Sequence, residues 1–245
     1  SLFVNATLPL NATTSSGLEV TYTITEGQDV VAIEGNNLVA KKAGTATITA
    51  SQAGNNNYLA AEPVAQTITV DKATPVITEL PTIAPVTYGT TLAEALVLNG
   101  GKASVEGTFT FILPTHEDYL QQVWDAGEYA ISIAFYPTQE EAYYSIDTTI
   151  VLLIEKAAQT ITWALDSTKL FVNDTLILTA TSSSDLVVTY EVTGEEGIVA
   201  IEDNMLIALQ AGTITITATQ AGDDNYLTAD PVEYILTIED VPSDI

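Results

Sequence analysis

Histidine chemistry in this chain would rest on one residue. His116 is the only histidine. It lies in Pro114-Thr115-His116-Glu117-Asp118, where a carboxylate could orient the imidazole as a general base. A hydrolytic triad also needs a placed nucleophile and an oxyanion hole. The Gly-x-Ser-x-Gly turn that exposes such a serine does not occur. His116 therefore reads as a loop histidine, and no catalytic residue is assigned. The 32 Asp and Glu offer carboxylate pairs of the kind glycoside hydrolysis uses. At that density pairs arise by chance, and a solvated acidic surface is the simpler reading. The aromatic residues are more suggestive. Tyr119, Trp124, Tyr136, Tyr143 and Tyr144 fall in one stretch, and Tyr119 and Trp124 share segment 113–125 with His116. If exposed and convergent, these rings would stack on a glycan. The plainer reading folds Tyr119 and Trp124 over the end of a β-sandwich and turns Tyr143 inward. The candidate binding residues are thus Tyr119, Trp124 and His116.

Composition excludes several other chemistries. The chain has 245 residues, 6 basic residues, all of them Lys, and a net charge of −26. Without a basic patch it has no electrostatic footprint for nucleic acid or an anionic membrane. With no Cys it has no disulfide framework, thiolate zinc site, iron–sulfur cluster or cysteine nucleophile. A hydrophobic fraction of 47% argues against disorder. The longest apolar run, Ile150-Val151-Leu152-Leu153-Ile154, is far short of the ~20 residues of a membrane helix. No membrane insertion by this segment is expected, and no leader is visible at Ser1. The 37 Thr, with abundant Val and Ile, favour strands over helices.

The side chains named above must therefore be held by strands, and those strands are organised as a repeat. Residues 2–70 align without a gap onto 170–238, an offset of 168, with about 40 identities in 69 positions. Leu2-Phe3-Val4-Asn5 meets Leu170-Phe171-Val172-Asn173, and Asn57-Tyr58-Leu59 meets Asn225-Tyr226-Leu227. Half of the offset, 84, recurs as well: Val70-Asp71-Lys72-Ala73 returns as Ile154-Glu155-Lys156-Ala157. The expected organisation is three modules, 1–72, 73–156 and 157–245. The third duplicates the first, and the first lacks its opening strand. Gln159-Thr160-Ile161-Thr162-Trp163 has no counterpart in the first module, so Ser1 is expected to be a cut point within a longer array. No Gly/Ser- or Pro-rich linker separates the modules, which predicts tight joints.

Within a module the period is two. Thr45 to Ser51, Thr175 to Thr181, Val187 to Val192, Thr213 to Thr219 and Val232 to Ile238 read as strands. Polar and glycine-containing turns separate them. About seven short strands in ~84 residues is the pattern of an antiparallel Ig-like sandwich. Only residues 117–123 read as a turn or two of helix. Trp163, on a predicted strand, reads as core. Asp223-Asp224-Asn225 offers oxygen ligands for calcium. Its counterpart Asn55-Asn56-Asn57 lacks the charge, although a structural calcium site would be kept in both copies. The shared reading is a polar turn, with Tyr58 and Tyr226 plugging the sandwich end. Lys72 and Lys156 at the joints argue against an oxygen cage there. No metal and no cofactor is assigned.

Two sets of motifs carry a resemblance. Ser15-Ser16-Gly17-Leu18-Glu19-Val20-Thr21-Tyr22, Val31-Ala32-Ile33, Ala43-Gly44-Thr45 and Gly54-Asn55-Asn56-Asn57-Tyr58 form one set, repeated in the third module. Thr87-Tyr88-Gly89-Thr90-Thr91-Leu92, Gly107-Thr108-Phe109, Ala126-Gly127-Glu128-Tyr129 and Phe135-Tyr136-Pro137-Thr138 form the other. The chain resembles tandem bacterial Ig-like repeats of surface adhesins, with a middle module similar to the YGX-type MBG repeat. The resemblance implies an all-β fold of three tandem Ig-like antiparallel β-sandwich modules forming an elongated rod. It implies an extracellular, cell-surface location in a Bacteroidetes-like bacterium, and a stalk that spaces or presents a distal binding region. The partners implied are neighbouring repeats of a longer chain, and a glycan or a host or cell-surface protein. No enzymatic activity is implied. Segment 113–125 departs from the family pattern, being longer and more aromatic. Strands of ~8 residues at ~3.3 Å rise predict about 30 Å per module and a rod on the order of 100 Å. The modules carry 3 Lys against 6 acids, 2 against 11, and 1 against 15. Since the first and third share a backbone pattern, the acidity belongs to the surface.

Overall fold

Alternation of Thr with apolar residues produces strands with one buried face. The computed structural model describes residues 1–116 and 118–242. Its contacts define two compact units. One comprises Ser1–Ile83, Val97–Thr115 and Tyr129–Leu152; the other comprises Ala84–Leu96, His116–Glu128 and the residues from Leu153 on.

In the first unit the chain opens with β1 (Leu2–Phe3), β2 (Thr7–Pro9), β3 (Thr21–Glu26), β4 (Val31–Glu34), β5 (Asn37–Ala40), β6 (Gly44–Gln52) and β7 (Ala61–Asp71). They form two sheets, of order β1-β7-β6-β3 and β2-β5-β4. Only β1 is parallel to its neighbour β7. The sheets enclose a common core that includes Val31, Leu38, Ala46, Ile48 and Val70. In β6, Ala46 and Ile48 point inward, and the intervening threonines line the other face. There Thr47 Oγ1 meets Thr67 Oγ1 at 3.1 Å and Thr25 Oγ1 meets Thr49 Oγ1 at 3.3 Å. Such cross-strand hydroxyl pairs give the threonines a structural use on a solvated face.

The chain continues through β8 (Ile77–Glu79), β9 (Val86–Thr87), α1 (Leu92–Ala95), β10 (Lys102–Ala103), β11 (Gly107–Phe111), the 3-10 turn η1 (Tyr119–Gln121), β12 (Gly127–Pro137) and β13 (Ile146–Glu155). In the first unit β8 pairs antiparallel with β10, and β11 with β12. Phe109 and Phe135 meet there at 4.9 Å between ring centroids. In the second unit β9 runs parallel to the end of β13.

The second unit also holds β14 (Ile161–Thr162), β15 (Lys169–Phe171), β16 (Thr175–Ile177), β17 (Thr181–Ser182), β18 (Thr189–Gly194), β19 (Val199–Glu202), β20 (Met205–Ala208), β21 (Gly212–Thr219) and β22 (Val232–Glu239). The sheets are β15-β22-β21-β18, β16-β20-β19 and β14-β17. Trp163, Leu178, Leu206, Ile214, Ile216 and Leu236 belong to their common core. Asp203 and Asn204, both at positive φ (47° and 62°), make the two-residue turn between β19 and β20. The fold is all-β, built from antiparallel sandwiches of Ig-like layering, as the patterning predicts.

One register recurs along the chain. Leu2 pairs in parallel with Val70, Val86 with Ile154 and Leu170 with Ile238, each pair 84 residues after the last. Three residues beyond Leu2, Val86 and Leu170 the backbone turns left-handed, at Asn5 (φ 70°), Gly89 (φ 98°) and Asn173 (φ 76°). Glycine and asparagine are the residues that tolerate this conformation best.

Three expectations change. The strand expected over 175–181 is broken, because the chain leaves β20 at Ile177 and reaches β14 at Thr181. Buried Leu178 marks the crossing, and its N–H donates to Asn204 O at 2.8 Å. The strand expected from Val187 begins at Thr189, leaving Val187 79% exposed. The helix expected over 117–123 is only η1, and Glu117 lies outside the described residues. The α-helical turn is instead α1, where the Glu94 carboxylate accepts the Thr91 backbone N–H at 3.2 Å. The Thr-x-x-Glu spacing of a capping box signals it in the sequence.

Candidate functional site

The three candidate binding residues share the second unit. Tyr119 lies in η1, a turn closed by Tyr119 N–H to His116 O at 3.1 Å and Gln121 N–H to Asp118 O at 3.1 Å. Trp124 follows at the bridge that Val123 makes with Thr91. The two rings meet edge to face, with centroids 6.0 Å apart and planes at 82°. Trp124 Nε1 donates to Gln122 Oε1 at 3.3 Å. Both rings are half-buried, and His116 is exposed. Its Nδ1 accepts the Asp118 N–H at 3.4 Å. The turn thus brings Tyr119 and Trp124 together, but crossed rather than coplanar. Exposed Leu120 and Val123 extend the apolar surface beside them.

The two tryptophans differ, and fluorescence reads the difference. Trp163 is 7% exposed and Trp124 is half-buried. Acrylamide should quench one component and spare the other, and Trp124→Phe should leave only the spared one. A fully protected emission in the unmodified chain would end a surface role for Trp124.

Further polar contacts lie at the two expected joints. Near Ala73, in the first unit, Ala73 N–H donates to Ala142 O at 2.9 Å and Tyr144 N–H to Ala73 O at 3.0 Å. Ala142 and Tyr143 pack against the core of the first sandwich, so Tyr143 turns inward as expected. Asn5 Nδ2 donates to the Tyr143 hydroxyl at 2.6 Å. Lys42 Nζ lies 2.7 Å from Glu141 and 3.4 Å from Asp29. The bond to Glu141, then that to Asp29, holds its ammonium above the ordinary lysine range.

Near Ala157, in the second unit, Ala157 N–H donates to Asn225 O at 2.9 Å and Leu227 N–H to Ala157 O at 2.9 Å. The Asn225 side chain is a two-ended clamp. Its Nδ2 donates to Asp125 Oδ1 at 2.9 Å, and its Oδ1 accepts the Ala126 N–H at 2.8 Å. Tyr226 meets Tyr88 edge to face at 5.3 Å. Lys156 Nζ donates to Asp223 O at 2.5 Å.

The polar-turn reading of Asp223-Asp224-Asn225 describes what is seen. Asp223 Oδ1 accepts the N–H groups of Asn225 and Tyr226, both at 2.8 Å. Asn55 Oδ1 does the same for Asn57 and Tyr58, at 2.9 and 3.0 Å. The expectation that Tyr58 plugs its sandwich end is corrected: Tyr58 is 53% exposed. Its counterpart Tyr226 is half-buried because Tyr88 stands against it, which local sequence does not encode. Sequence reading also missed the Asn225 clamp and the Asn5–Tyr143 bond. The available signal was the spacing of Tyr143 from Tyr226, one short of the 84-residue period.

Among the described residues no group of three His, Cys, Asp or Glu is placed to hold a metal ion. No helix among them is long and apolar enough to cross a membrane. No family model matches the chain, and no curated protein matches it in sequence. Solved structures resemble it at low identity. A Drosophila N-cadherin EC1-4 fragment is 11% identical, with TM-score 0.38, over 99% of this chain and 72% of that one. Immunoglobulin domains 1-4 of Sidekick-1 are 15% identical, with TM-score 0.33, over 98% of this chain and 72% of that one. The I67-I69 I-band fragment of titin is 10% identical, with TM-score 0.33, over 98% of this chain and 95% of that one. Likenesses this remote carry no functional assignment, and the layering of the sheets stands on its own geometry.

Proposed function

We propose that this chain is a structural stalk segment of a secreted or cell-surface adhesin or fibre protein, spacing or presenting a distal binding region. It comprises three Ig-like modules, 1–72, 73–156 and 157–245, forming an elongated rod outside the cell. The outer two are of the bacterial Ig-like type and the middle one of the MBG type. The observation that supports this most is the parallel strand register recurring every 84 residues. A load-bearing joint also needs short connections and direct contacts. Val70 to Ala73 and Ile154 to Ala157 pass from strand to strand without a linker, and Tyr143 and Asn225 bond nearby. The acidic surface keeps such an array soluble. The reading assigns no enzymatic activity and no cofactor.

A second reading makes the middle module a glycan- or protein-binding unit through Tyr119, Trp124 and His116. The exposed apolar residues beside the Tyr119–Trp124 pair favour it. Small-angle scattering from the whole chain tests the first reading: an elongated particle supports it, and a compact one contradicts it.

A further inference from the structure

Of the 11 asparagines, only Asn99 precedes a glycine, and no aspartate does. Asn99-Gly100 lies just before β10, in the first unit. Asn99 bridges Thr82, and each N–H donates to the other's carbonyl at 2.9 Å. In an antiparallel pair, the residue after such a doubly bonded one turns its N–H away from the partner strand. The Gly100 N–H is therefore aimed away from Thr82, and no acceptor meets it among the described residues. Gly100 is exposed at φ 70°, and a Cβ built on it would have nothing within 4 Å. Asn99 is exposed as well. Its carboxamide makes one long bond, from Nδ2 to Val97 O at 3.3 Å. An amide that can turn thus stands beside an unhindered backbone nitrogen, with room around both.

The other asparagines lack this combination. Asn225 is clamped at both ends of its amide and precedes Tyr226. Asn5 donates to the Tyr143 hydroxyl and precedes Ala6. Asn55 Oδ1 is held by the N–H groups of Asn57 and Tyr58. Asn56 and Asn57 are exposed, but each is followed by a residue whose side chain crowds its nitrogen. Glycine alone leaves the approach open and lets the backbone adopt the conformations it needs.

We infer that Asn99 is a site of self-modification, converted by its own neighbour to aspartate and isoaspartate. The Gly100 nitrogen gives up its proton to hydroxide and attacks Asn99 Cγ. A C–N bond forms, the bond from Cγ to Nδ2 breaks, and ammonia leaves with a proton taken from water. The resulting five-membered imide is then opened by water at either carbonyl. Opening at Cγ gives aspartate. Opening at the main-chain carbonyl leaves the chain running through Cγ, as isoaspartate. The net change is one water consumed and one ammonia released, with no oxidant and no enzyme. Either product adds one negative charge to a chain at −26. Isoaspartate also lengthens the main chain by a methylene, and the oxygen that accepts the Thr82 N–H becomes part of a branching carboxylate. The neighbouring β8–β10 pair has two register positions, Lys102 with Glu79 and Ala103 with Ile77, and then starts out of step with Thr82. The site marks the age of each molecule and loosens one sheet edge. Because the Thr82 bonds hold the Asn99 carbonyl, conversion runs slower in the fold than in a free peptide.

The whole chain, kept in mildly alkaline buffer beside a free peptide of residues 95–104, tests the site. Peptide mapping should find a gain of about 1 Da at Asn99, as an amide becomes a carboxylate, with ammonia released in step. Isoaspartate methyltransferase should label the product at that residue. Gly100→Ala should slow the conversion about tenfold or more, because a Cβ restricts the backbone and crowds the attack. Asn99→Gln should stop it over the same period, and Asn56→Gln should leave it unchanged. Hydrogen exchange at Thr82 should quicken in the isoaspartate form. The inference is overturned if Asn99 is still intact long after the peptide has converted fully, or if the mass gain maps to another asparagine. Conversion of Gly100→Ala as fast as the parent also overturns it.

Discussion

Trp163→Ala is expected to destabilise the last sandwich by about 3–5 kcal/mol, the usual cost of truncating a buried large aromatic residue. The indole is 7% exposed and sits between Tyr190 and Tyr234. The Tyr234 hydroxyl donates to the Trp163 carbonyl at 3.0 Å, so segment 159–163 depends on its seat. Tyr190 reports the same dry surroundings. Burial pushes its phenol above the ordinary range, and the bond from the Ala180 N–H, 2.7 Å away, pulls it back. A domain of this size loses about 4–8 °C per kcal/mol, so the transition of the last sandwich should fall by roughly 12–40 °C. Trp163→Phe should lose well under half as much. It keeps an aromatic face between the tyrosines. It also removes the indole N–H, which is buried without a partner among the described residues and so costs about 1–3 kcal/mol as it stands. Calorimetry of the whole chain, with the transitions resolved, checks both variants. A Trp163→Ala transition within about 1 kcal/mol of the parent, less than truncation of any buried aromatic residue should cost, would remove this segment from the core.

Gly222→Ala should be the next most damaging change, at about 2–4 kcal/mol, from left-handed backbone strain together with steric overlap. Gly222 has φ 79°, and a Cβ there would lie 2.4 Å from Tyr226 O and 2.8 Å from Leu227 C. Those atoms are backbone and cannot swing away. They are also fixed from the other side, because Tyr226 O accepts the Asp223 N–H at 3.1 Å. The same turn recurs at Gly54, with φ 76° and Tyr58 O at 2.5 Å from a built Cβ. The turn carries Asn225 and Tyr226 to Asp125, Ala126 and Tyr88. Gly222→Ala should therefore loosen those contacts as well as the sandwich. Asn225→Ala removes only the clamp and should cost about 1–2 kcal/mol, the range for partly exposed hydrogen bonds. Denaturation of both variants orders them. A Gly222→Ala loss no larger than that of Asn225→Ala would contradict the packing around the turn.

The features legible in the sequence are those set by local period or by duplication. Thr213-Ile214-Thr215-Ile216 alternates, and β21 buries Ile214 and Ile216 while Thr215 lines the other face. Trp163, read as a core residue on a strand, is core, although β14 ends one residue before it. The 84-residue spacing read from Val70-Asp71-Lys72-Ala73 reappears in the strand register. What escaped the sequence depends on distant partners. Asn225 and Asp125 lie 100 residues apart, and no local pattern marks either one for the other. Tyr58 and Tyr226 share the tripeptide Asn-Tyr-Leu and differ in burial, because only one has a tyrosine set against it. For the candidate binding loop, the sequence shows how many rings it holds but not the 82° between two of them. Ring number depends on composition alone. The crossing angle is set by η1 and by the bridge from Val123 to Thr91.

The rod of three sandwiches in file is a proposal, and small-angle X-ray scattering of the whole chain tests it directly. A rod on the order of 100 Å, from three modules of about 30 Å each, has a radius of gyration of about 30 Å. A compact domain of this length has one of about 18 Å. The account predicts the larger value, with a distance distribution tailing to about 100 Å; a symmetric distribution with a radius near 18 Å would contradict it.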